Sequence, residues 1–269
     1  MKNSLEYNYI EKYLTSIRAK GRYSFTLEEI VKEFDVSQTV IFQRLYQLKI
    51  QKKIAQIRQG FYVIVPPEYT SMGTLPTYLF LDHMMKFLGK PYYVGLLSAA
   101  VLHGAAHQKP MMDFIVSETP TPRNVKNKKH HIKFISKKTL LKEGIIQKKT
   151  QAGYINVSSP ELTAFDLLEN INMFGINRIT TVLLELHEEM CPLRLAKIAK
   201  LVDNKSNIQR LGYILERIVE QEKLSNALYR VLKKSKLEPV SLSHLKSRKG
   251  NIDPKWKIIV NMQIETDVW

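Results

Sequence analysis

Residues 26–65 read TLEEIVKEFDVSQTVIFQRLYQLKIQKKIAQIRQGFYVIV, and this stretch decides the fold of the N-terminal part of the chain. Thr26 and Glu29 have the spacing of a capping box, in which the two side chains bond backbone N–H groups at the start of a helix. Apolar residues at helical spacing follow from Leu27 to Phe34. The pattern predicts an amphipathic helix that begins directly after Thr26.

A further helix follows the short turn at residues 35–37, with Ser37 as its candidate N-cap. The apolar stripe of this helix consists of Ile41, Leu45 and Leu48. Residues 54–65 then alternate around a turn at 58–60, which predicts a β-ribbon. An earlier helix is predicted from the apolar spacing of Ile10, Leu14 and Ile17. Three helices followed by a hairpin predict a winged helix-turn-helix.

The outer face of the third predicted helix is polar and carries no acidic residue. Its helical wheel places Thr39, Gln43, Tyr46 and Gln47 outward, with Gln38 and Arg44 on the flanks. Glutamine and arginine pair bidentately with adenine and guanine in the major groove of DNA. The predicted β-ribbon at residues 54–65 is the wing of this fold. The end of the third helix and the wing, where DNA phosphates would pass, carry the basic residues Lys49, Lys52, Lys53 and Arg58. We therefore expect double-stranded DNA as a partner; the alternative is a winged helix that contacts only protein.

The charge of the 269-residue chain supports an anionic partner. Lysine and arginine outnumber aspartate and glutamate by 41 to 25, which leaves a net charge of +16. Such a charge favours nucleic acid, an anionic membrane or an acidic protein. Residues 1–70 carry a net +4 and the remaining residues carry +12. The second part of the chain therefore belongs in any electrostatic account of binding.

Composition also predicts where the protein works. No segment approaches the run of about 18 apolar residues that a membrane-spanning helix needs. The N-terminal residues contain acids and lack the apolar core of a signal peptide. The single cysteine, Cys191, excludes a disulfide framework within the chain. We expect a cytoplasmic protein with no membrane partner.

The chain is predicted to have two domains and an α+β fold. Residues 66–76 (PPEYTSMGTLP) combine three prolines and a glycine and are interpreted as a linker. A winged helix-turn-helix domain would span residues 1–70, and a larger mixed α/β domain residues 77–269. For the second domain the pattern predicts helical structure at 77–110, a helix start at residues 159–161, further helices and short strands. The predicted helices are 160–170, 175–189, 193–201, 207–221 and 224–234; the predicted strands are 112–117, 132–135, 144–149, 154–157 and 255–264.

The densest charge in the chain lies in residues 123–149, called here the basic run. This run holds ten lysines and arginines, two histidines and one acid, Glu143. It is interpreted as a second phosphate-binding surface, as a contact for an acidic protein, or as a solvated surface. Under the first interpretation, the residues expected to contact DNA are Arg123, Lys126, Lys128 and Lys129.

Signatures of catalysis are sparse. The sequence has no GxxxxGK[ST] phosphate loop, no GxSxG nucleophile motif and no CxxC pair. His103 and His107 have the spacing of paired metal ligands, but without an evident third ligand they are interpreted as structural. We expect no cofactor, no metal and no enzymatic activity. The alternative is a nucleic-acid-processing enzyme that uses Asp113 and Asp166 in a nuclease-like carboxylate cluster.

Three segments of the second part resemble the AbiEi family of bacterial antitoxins. They are YYVGLLSAAVLHG (92–104), GYINVSSPELTAFDLL (153–168) and RLGYILE (210–216). The resemblance implies a protein that represses its own operon at promoter inverted repeats. It also implies an antitoxin that counteracts a nucleotidyltransferase toxin of the AbiEii family; a plain repressor without a toxin partner is a further alternative. No catalytic residue is carried over, and the motif residues interpreted as packing positions are Tyr92, Leu96, Leu97, Leu102, Leu167, Leu211 and Tyr213.

Overall fold

The computed structural model describes residues 3–105, 110–202 and 204–265. The chain divides into two compact units, each built from several segments. The first unit comprises Met1–Tyr92, Val116–Lys138 and Gln147–Asn156, and the second comprises Tyr93–Ile115, Thr139–Ile146 and Val157–Trp269. The division concerns compactness and not independent folding, so the predicted domain boundary at residues 66–76 stays a prediction.

The N-terminal elements of the first unit have the order of a winged helix-turn-helix. They are α1 (Asn3–Ala19), β1 (Ser24–Thr26), α2 (Leu27–Glu33), α3 (Gln38–Ile50), β2 (Ile54–Arg58) and β3 (Phe61–Ile64). The three strands form an antiparallel sheet in the order β1-β3-β2. The predicted stripes of α1 and α3 share one hydrophobic core with Phe25 and Ile30. The predicted helices and hairpin of this region are confirmed, with β1 as an additional strand.

The predicted N-terminal capping is present at α2 but not at α3. Thr26 Oγ1 accepts from the backbone N–H of Glu29 at 3.1 Å, and Glu29 Oε2 accepts from the N–H of Thr26 at 2.8 Å. This reciprocal pair confirms the predicted capping box. Ser37 occupies the N-cap position of α3, but its side chain makes no capping hydrogen bond.

Residues 66–76 are folded against the rest of the first unit. A short 3₁₀ helix occupies Pro67–Tyr69, and Leu75 is fully buried. Thr74 Oγ1 lies 2.6 Å from Nε2 of the buried His130, whose ring also meets Phe80 edge to face. The proline-rich segment is therefore held by side-chain contacts as well as by chain connectivity.

A six-stranded mixed sheet follows in the chain. The elements here are a 3₁₀ helix at Thr77–Leu79, α4 (Leu81–Phe87), β4 (Tyr92–Val94), α5 (Leu96–Leu102), β5 (Asp113–Glu118), β6 (Val125–Lys126), β7 (His131–Lys137), a 3₁₀ helix at Lys142–Gly144, β8 (Ile145–Thr150) and β9 (Gly153–Ser158). The strand order is β6-β7-β5-β4-β9-β8. The pairing of β4 with β9 is parallel, and that of β6 with β7 is antiparallel.

The prediction of helical structure throughout residues 77–110 is wrong at β4. Tyr92, Tyr93 and Val94 are all buried and form an interior strand of the sheet. A strand buried on both faces has no polar alternation, so its apolar run cannot be told from a buried helix by periodicity. His107 of the same stretch lies outside the described residues.

Helices dominate the rest of the second unit. They are α6 (Pro160–Glu169), α7 (Ile171–Phe174), α8 (Ile176–Leu186), a 3₁₀ helix at His187–Glu189, α9 (Pro192–Val202), α10 (Lys205–Arg217) and α11 (Glu222–Leu232). A small sheet of β10 (Val240–Ser241), β11 (Asn251–Ile252) and β12 (Ile258–Val260) follows, in the order β10-β12-β11. Ser159 caps α6 as predicted, accepting from the N–H of Leu162 at 3.3 Å. Helices and sheets together make the α+β class that the sequence predicts.

Steric crowding explains why the RLGYILE segment has a glycine. Gly212 lies within α10, and a Cβ at this position would overlap the indole ring of Trp256. Trp256 is fully buried, and its Nε1–H donates to Glu216 Oε2 at 2.9 Å. The ring cannot move aside without losing this hydrogen bond, so the helix requires a residue without a side chain here.

We expect Gly212→Ala to lower the free energy of unfolding by about 1–3 kcal/mol, the usual cost of overpacking a core. Alanine otherwise favours a helix over glycine by roughly 0.5–1 kcal/mol, so the steric term must outweigh that gain. Chemical denaturation of wild type, Gly212→Ala, Trp256→Leu and the double variant measures both terms. In the Trp256→Leu background the alanine should become neutral or stabilising; an equal loss in both backgrounds would disprove the steric explanation.

Candidate nucleic-acid interface

The burial of α3 determines which of its residues meet the solvent. Ile41, Leu45 and Leu48 are at most 1% exposed. The exposed side chains of α3 include four of the predicted DNA contacts: Gln38, Thr39, Gln43 and Gln47. Thr39, Gln43 and Gln47 lie on the face opposite the buried stripe, and Gln38 lies at its flank, as the sequence predicts.

Arg44 differs from its predicted role as a free flanking contact. Its side chain is only 11% exposed, and its guanidinium forms an ion pair with Glu11 of α1. Its Nη1 also donates to Gln47 Oε1 at 3.0 Å. Arg44 thus links α1 to α3 and fixes the side chain of Gln47. An oxygen of an amide has two lone pairs, so Gln47 can still accept a second hydrogen bond.

Three predicted lysines lie at the C-terminal end of α3 and in the turn after it. Lys49 is half-buried, and its Nζ donates to Gln56 Oε1 of β2 at 3.2 Å. Lys52 is exposed in a left-handed turn with a φ of 56°. Lys53 is 54% exposed and lies 3.2 Å from Glu11 Oε2. Lys52 and Lys53 therefore have the exposure that phosphate contact requires.

Arg58, at the end of β2, is held by residues of the basic run. Its Nη2 donates to the backbone carbonyl of Arg123, and its guanidinium lies 5.4 Å from the centre of the Phe134 ring. Burial lowers the pKa of Arg58 from its usual value. This arginine anchors the wing to another part of the first unit. Its predicted phosphate contact stays a prediction.

The basic run is not one surface. Residues 125–137 form β6 and β7 at one edge of the six-stranded sheet, whereas residues 145–150 form β8 at the opposite edge. The four predicted contacts, Arg123, Lys126, Lys128 and Lys129, all belong to the first edge and are exposed. Lys129 Nζ donates to the carbonyl of Gly73 at 2.9 Å, so part of its hydrogen-bonding capacity is used within the chain.

The exposed part of α3 also includes aromatic side chains, of which the sequence placed Tyr46 outward and left out Phe42. Phe42 and Tyr46 are 48% and 61% exposed. With Gln43, Lys49 and Gln56 they line an open groove between α3 and the β2–β3 hairpin, whose floor is Leu45 and Tyr62. Assigning the exposed face by polarity left out Phe42, although its spacing of four from the outward Tyr46 already places both on one side of the helix.

Two candidate functional residues of the second unit, Asp166 and His103, are hydrogen-bonded within the fold. The hydroxyl of the buried Tyr93 donates to Asp166 Oδ2 at 2.9 Å, and burial together with this carboxylate raises the pKa of Tyr93 well above its usual value. His103 Nε2 lies 2.8 Å from the carbonyl oxygen of Ser158. Asp166 is therefore a hydrogen-bond partner within the core, and His103 is likewise bonded within the fold.

Buried charges in α6 and α10 have partners as well. Glu161 accepts from the N–H of Cys191 at 2.8 Å and pairs with Arg194 at 3.2 Å. Arg210 donates to the carbonyl of Ser241 at 3.0 Å, and burial lowers the pKa of Arg210 to about 10. Of the seven motif residues interpreted as packing positions, Leu102 and Tyr213 are half-buried and the others are buried.

The described residues also bear on metal binding and on membrane insertion. Within residues 3–105, 110–202 and 204–265, no group of three or more histidine, cysteine, aspartate or glutamate side chains is placed to hold a metal ion. In the same part of the chain, no helix combines the length and apolar character that crossing a bilayer requires.

Comparison with known proteins identifies the C-terminal domain. Residues 93–217 match the family described as the AbiEi antitoxin C-terminal domain. The chain therefore carries an antitoxin domain of a toxin–antitoxin system. The match of these residues confirms the resemblance to the AbiEi family found in the sequence.

Among solved structures, the crystal structure of the RV2827C protein from Mycobacterium tuberculosis is similar to this chain. The TM-score is 0.68, and the match covers 94% of this chain and 90% of that chain at 14% sequence identity. At this identity the likeness shows a shared fold over nearly the whole length. No curated protein matches the chain.

We expect Arg58→Ala to destabilise the protein by about 1.5–3 kcal/mol, the usual value for a hydrogen bond that involves a charged group. The substitution removes the bond to Arg123 and the contact with Phe134, so the loss should appear in urea denaturation without DNA. Lys128→Ala, an exposed residue of the same edge, is the matched control and should leave the unfolding midpoint unchanged. Equal behaviour of the two variants would remove the anchoring role of Arg58.

Proposed function

We propose that this antitoxin binds double-stranded DNA at inverted repeats in its own promoter and represses its toxin–antitoxin operon. Through its C-terminal domain it counteracts a cognate AbiEii-type nucleotidyltransferase toxin. The protein does so without a catalytic step and without a cofactor. Promoter DNA as a partner places this activity in the cytoplasm.

The observation that carries the DNA-binding part is the outer face of α3. It presents the exposed amides of Gln43 and Gln47 next to each other, without any acid on the helix. Glutamine amides match the donor and acceptor pattern of adenine in the major groove. Lys52 and Lys53 lie at the end of the same helix, where backbone phosphates would pass.

The electrostatic part of the proposal includes the sheet edge. Arg123, Lys126 and Lys128 are exposed at the edge formed by β6 and β7, in the same unit as α3. Neutralising phosphates releases condensed counterions, so each such contact adds to the dependence of affinity on salt. We propose that these residues extend the phosphate contacts made by the helix end.

The antitoxin part rests on the match of residues 93–217 to the AbiEi domain. The non-catalytic part is supported by Asp166, the carboxylate of the alternative enzyme hypothesis. Asp166 is fully buried and bonded by Tyr93, which suits a structural role better than binding of a catalytic metal.

We expect Gln43→Ala and Gln47→Ala each to reduce the discrimination between operator and unrelated duplex by about 1–3 kcal/mol, the value of one bidentate base contact. Non-specific affinity should stay near that of wild type, since neither side chain carries charge. Fluorescence anisotropy with operator and scrambled duplexes of equal length measures both quantities. Gln147→Ala, an exposed glutamine of β8, is the matched control; operator discrimination that stays at the wild-type level in the double variant would exclude Gln43 and Gln47 as base-reading residues.

Lysine variants provide the complementary comparison. Lys52→Gln with Lys53→Gln, and Lys126→Gln with Lys128→Gln, should weaken binding to every duplex. Each lost phosphate contact should flatten the log–log salt dependence by roughly 0.9. Lys223→Gln with Lys233→Gln, two exposed lysines at the two ends of α11, removes the same charge elsewhere and should leave the slope unchanged. A slope that does not respond to the Lys126 and Lys128 changes would remove the sheet edge from the interface.

The antitoxin activity should separate from DNA binding. In cells that express the neighbouring toxin and this antitoxin from independent inducible promoters, the Gln43→Ala/Gln47→Ala variant should rescue growth as well as wild type does. The same variant should fail to repress a reporter driven by the native promoter, because only that readout needs operator recognition. If rescue is lost together with repression, the antitoxin activity depends on the α3 face and the bipartite proposal is wrong.

A further inference from the structure

The groove beside α3 exposes aromatic surface next to the glutamines of the same helix. Phe42 and Tyr46 lie one helical turn apart and are each about half exposed or more. Exposing large aromatic side chains to water is unfavourable unless a partner covers them. The groove that they line contains the buried Leu45 and Tyr62 at its floor, so the apolar surface is continuous from floor to rim.

We propose that Phe42 and Tyr46 read thymine bases through their C5-methyl groups in the major groove of the operator. This inference rests on the proposed function, since it requires α3 to enter that groove. Thymine is the base that presents a methyl group there, and apolar side chains recognise it by contact. Gln43 lies between the two aromatic residues in the sequence and offers the amide that pairs with adenine. Together the three side chains select A·T base pairs.

The charges around the groove favour DNA over a protein surface as its occupant. The helix has no acidic residue, and the basic Lys49 lines the groove with its Nζ 3.2 Å from Gln56 Oε1. Glu11, a carboxylate of the neighbouring helix α1, is neutralised by Arg44 and Lys53. A surface that combines apolar contact with a positive, acid-free rim complements a methyl group flanked by phosphates.

Replacing thymine by uracil removes the methyl group and changes nothing else on the base edge. Burying one methyl group corresponds to a change in affinity of about fourfold. We therefore expect wild-type protein to lose about fourfold in operator affinity when uracil replaces thymine at each contacted position. Anisotropy titrations at fixed salt, with one substitution at a time through the half-site, locate these positions.

The protein side of the experiment is a double-mutant cycle. In Phe42→Ala or Tyr46→Ala, uracil at the position that the missing ring contacts should cost nothing further, because the methyl has lost its partner. Phe42→Leu keeps apolar contact and should keep most of the coupling. Tyr154→Ala, which removes an exposed aromatic residue of β9, is the matched control and should retain full sensitivity to uracil. Thermal unfolding of each variant verifies that the fold is intact.

The outcomes of this experiment distinguish failure of the thymine-reading inference from failure of the proposed DNA-binding function. Specific operator binding that is indifferent to uracil at every position overturns the inference while the proposed DNA function stands. Sensitivity to uracil that persists in the Phe42→Ala/Tyr46→Ala variant assigns the methyl contact to other residues and also overturns it. Loss of toxin neutralisation in this variant, with uracil sensitivity unchanged, assigns the groove to a protein partner. Absence of any sequence-specific DNA binding by wild type refutes the proposed function itself.

Discussion

The burial of three side chains on α3 sets the geometry on which the proposed interface depends. Ile41, Leu45 and Leu48 insert into the core formed with α1 and Phe25, so the helix has one rotational setting. That setting turns Gln43 and Gln47 to the solvent. Close packing makes this an exact constraint, because a helix rotated by one position would bury polar amides without partners.

The fold could be predicted from the sequence wherever its cause is local. The capping box at Thr26 and Glu29 and the apolar stripes of α1 and α3 depend on residues a few positions apart, and each was predicted correctly. The strand at Tyr92–Val94 was missed because burial on both faces erases the alternation that identifies a strand. The AbiEi resemblance was found from segments that are mostly buried, where packing restricts the choice of residue.

The sequence could not show which of the predicted DNA-contacting arginines are already bonded within the fold, because their partners are distant in sequence. Arg44 pairs with Glu11 and Arg58 with the carbonyl of Arg123, across 33 and 65 positions respectively. A helical wheel shows the direction in which a side chain points but not the residue that it contacts. The basic run was treated as one segment for the same reason, and only the strand order reveals that its two parts lie at opposite sheet edges.

The anchoring of the wing has a thermodynamic consequence for association. A hairpin that is free in solution loses conformational freedom when a partner orders it, and this loss subtracts from the affinity. Arg58 already restrains the end of β2 through Arg123 and Phe134 before any partner arrives. The wing thus loses this conformational entropy during folding, and a ligand binds a surface that is already ordered.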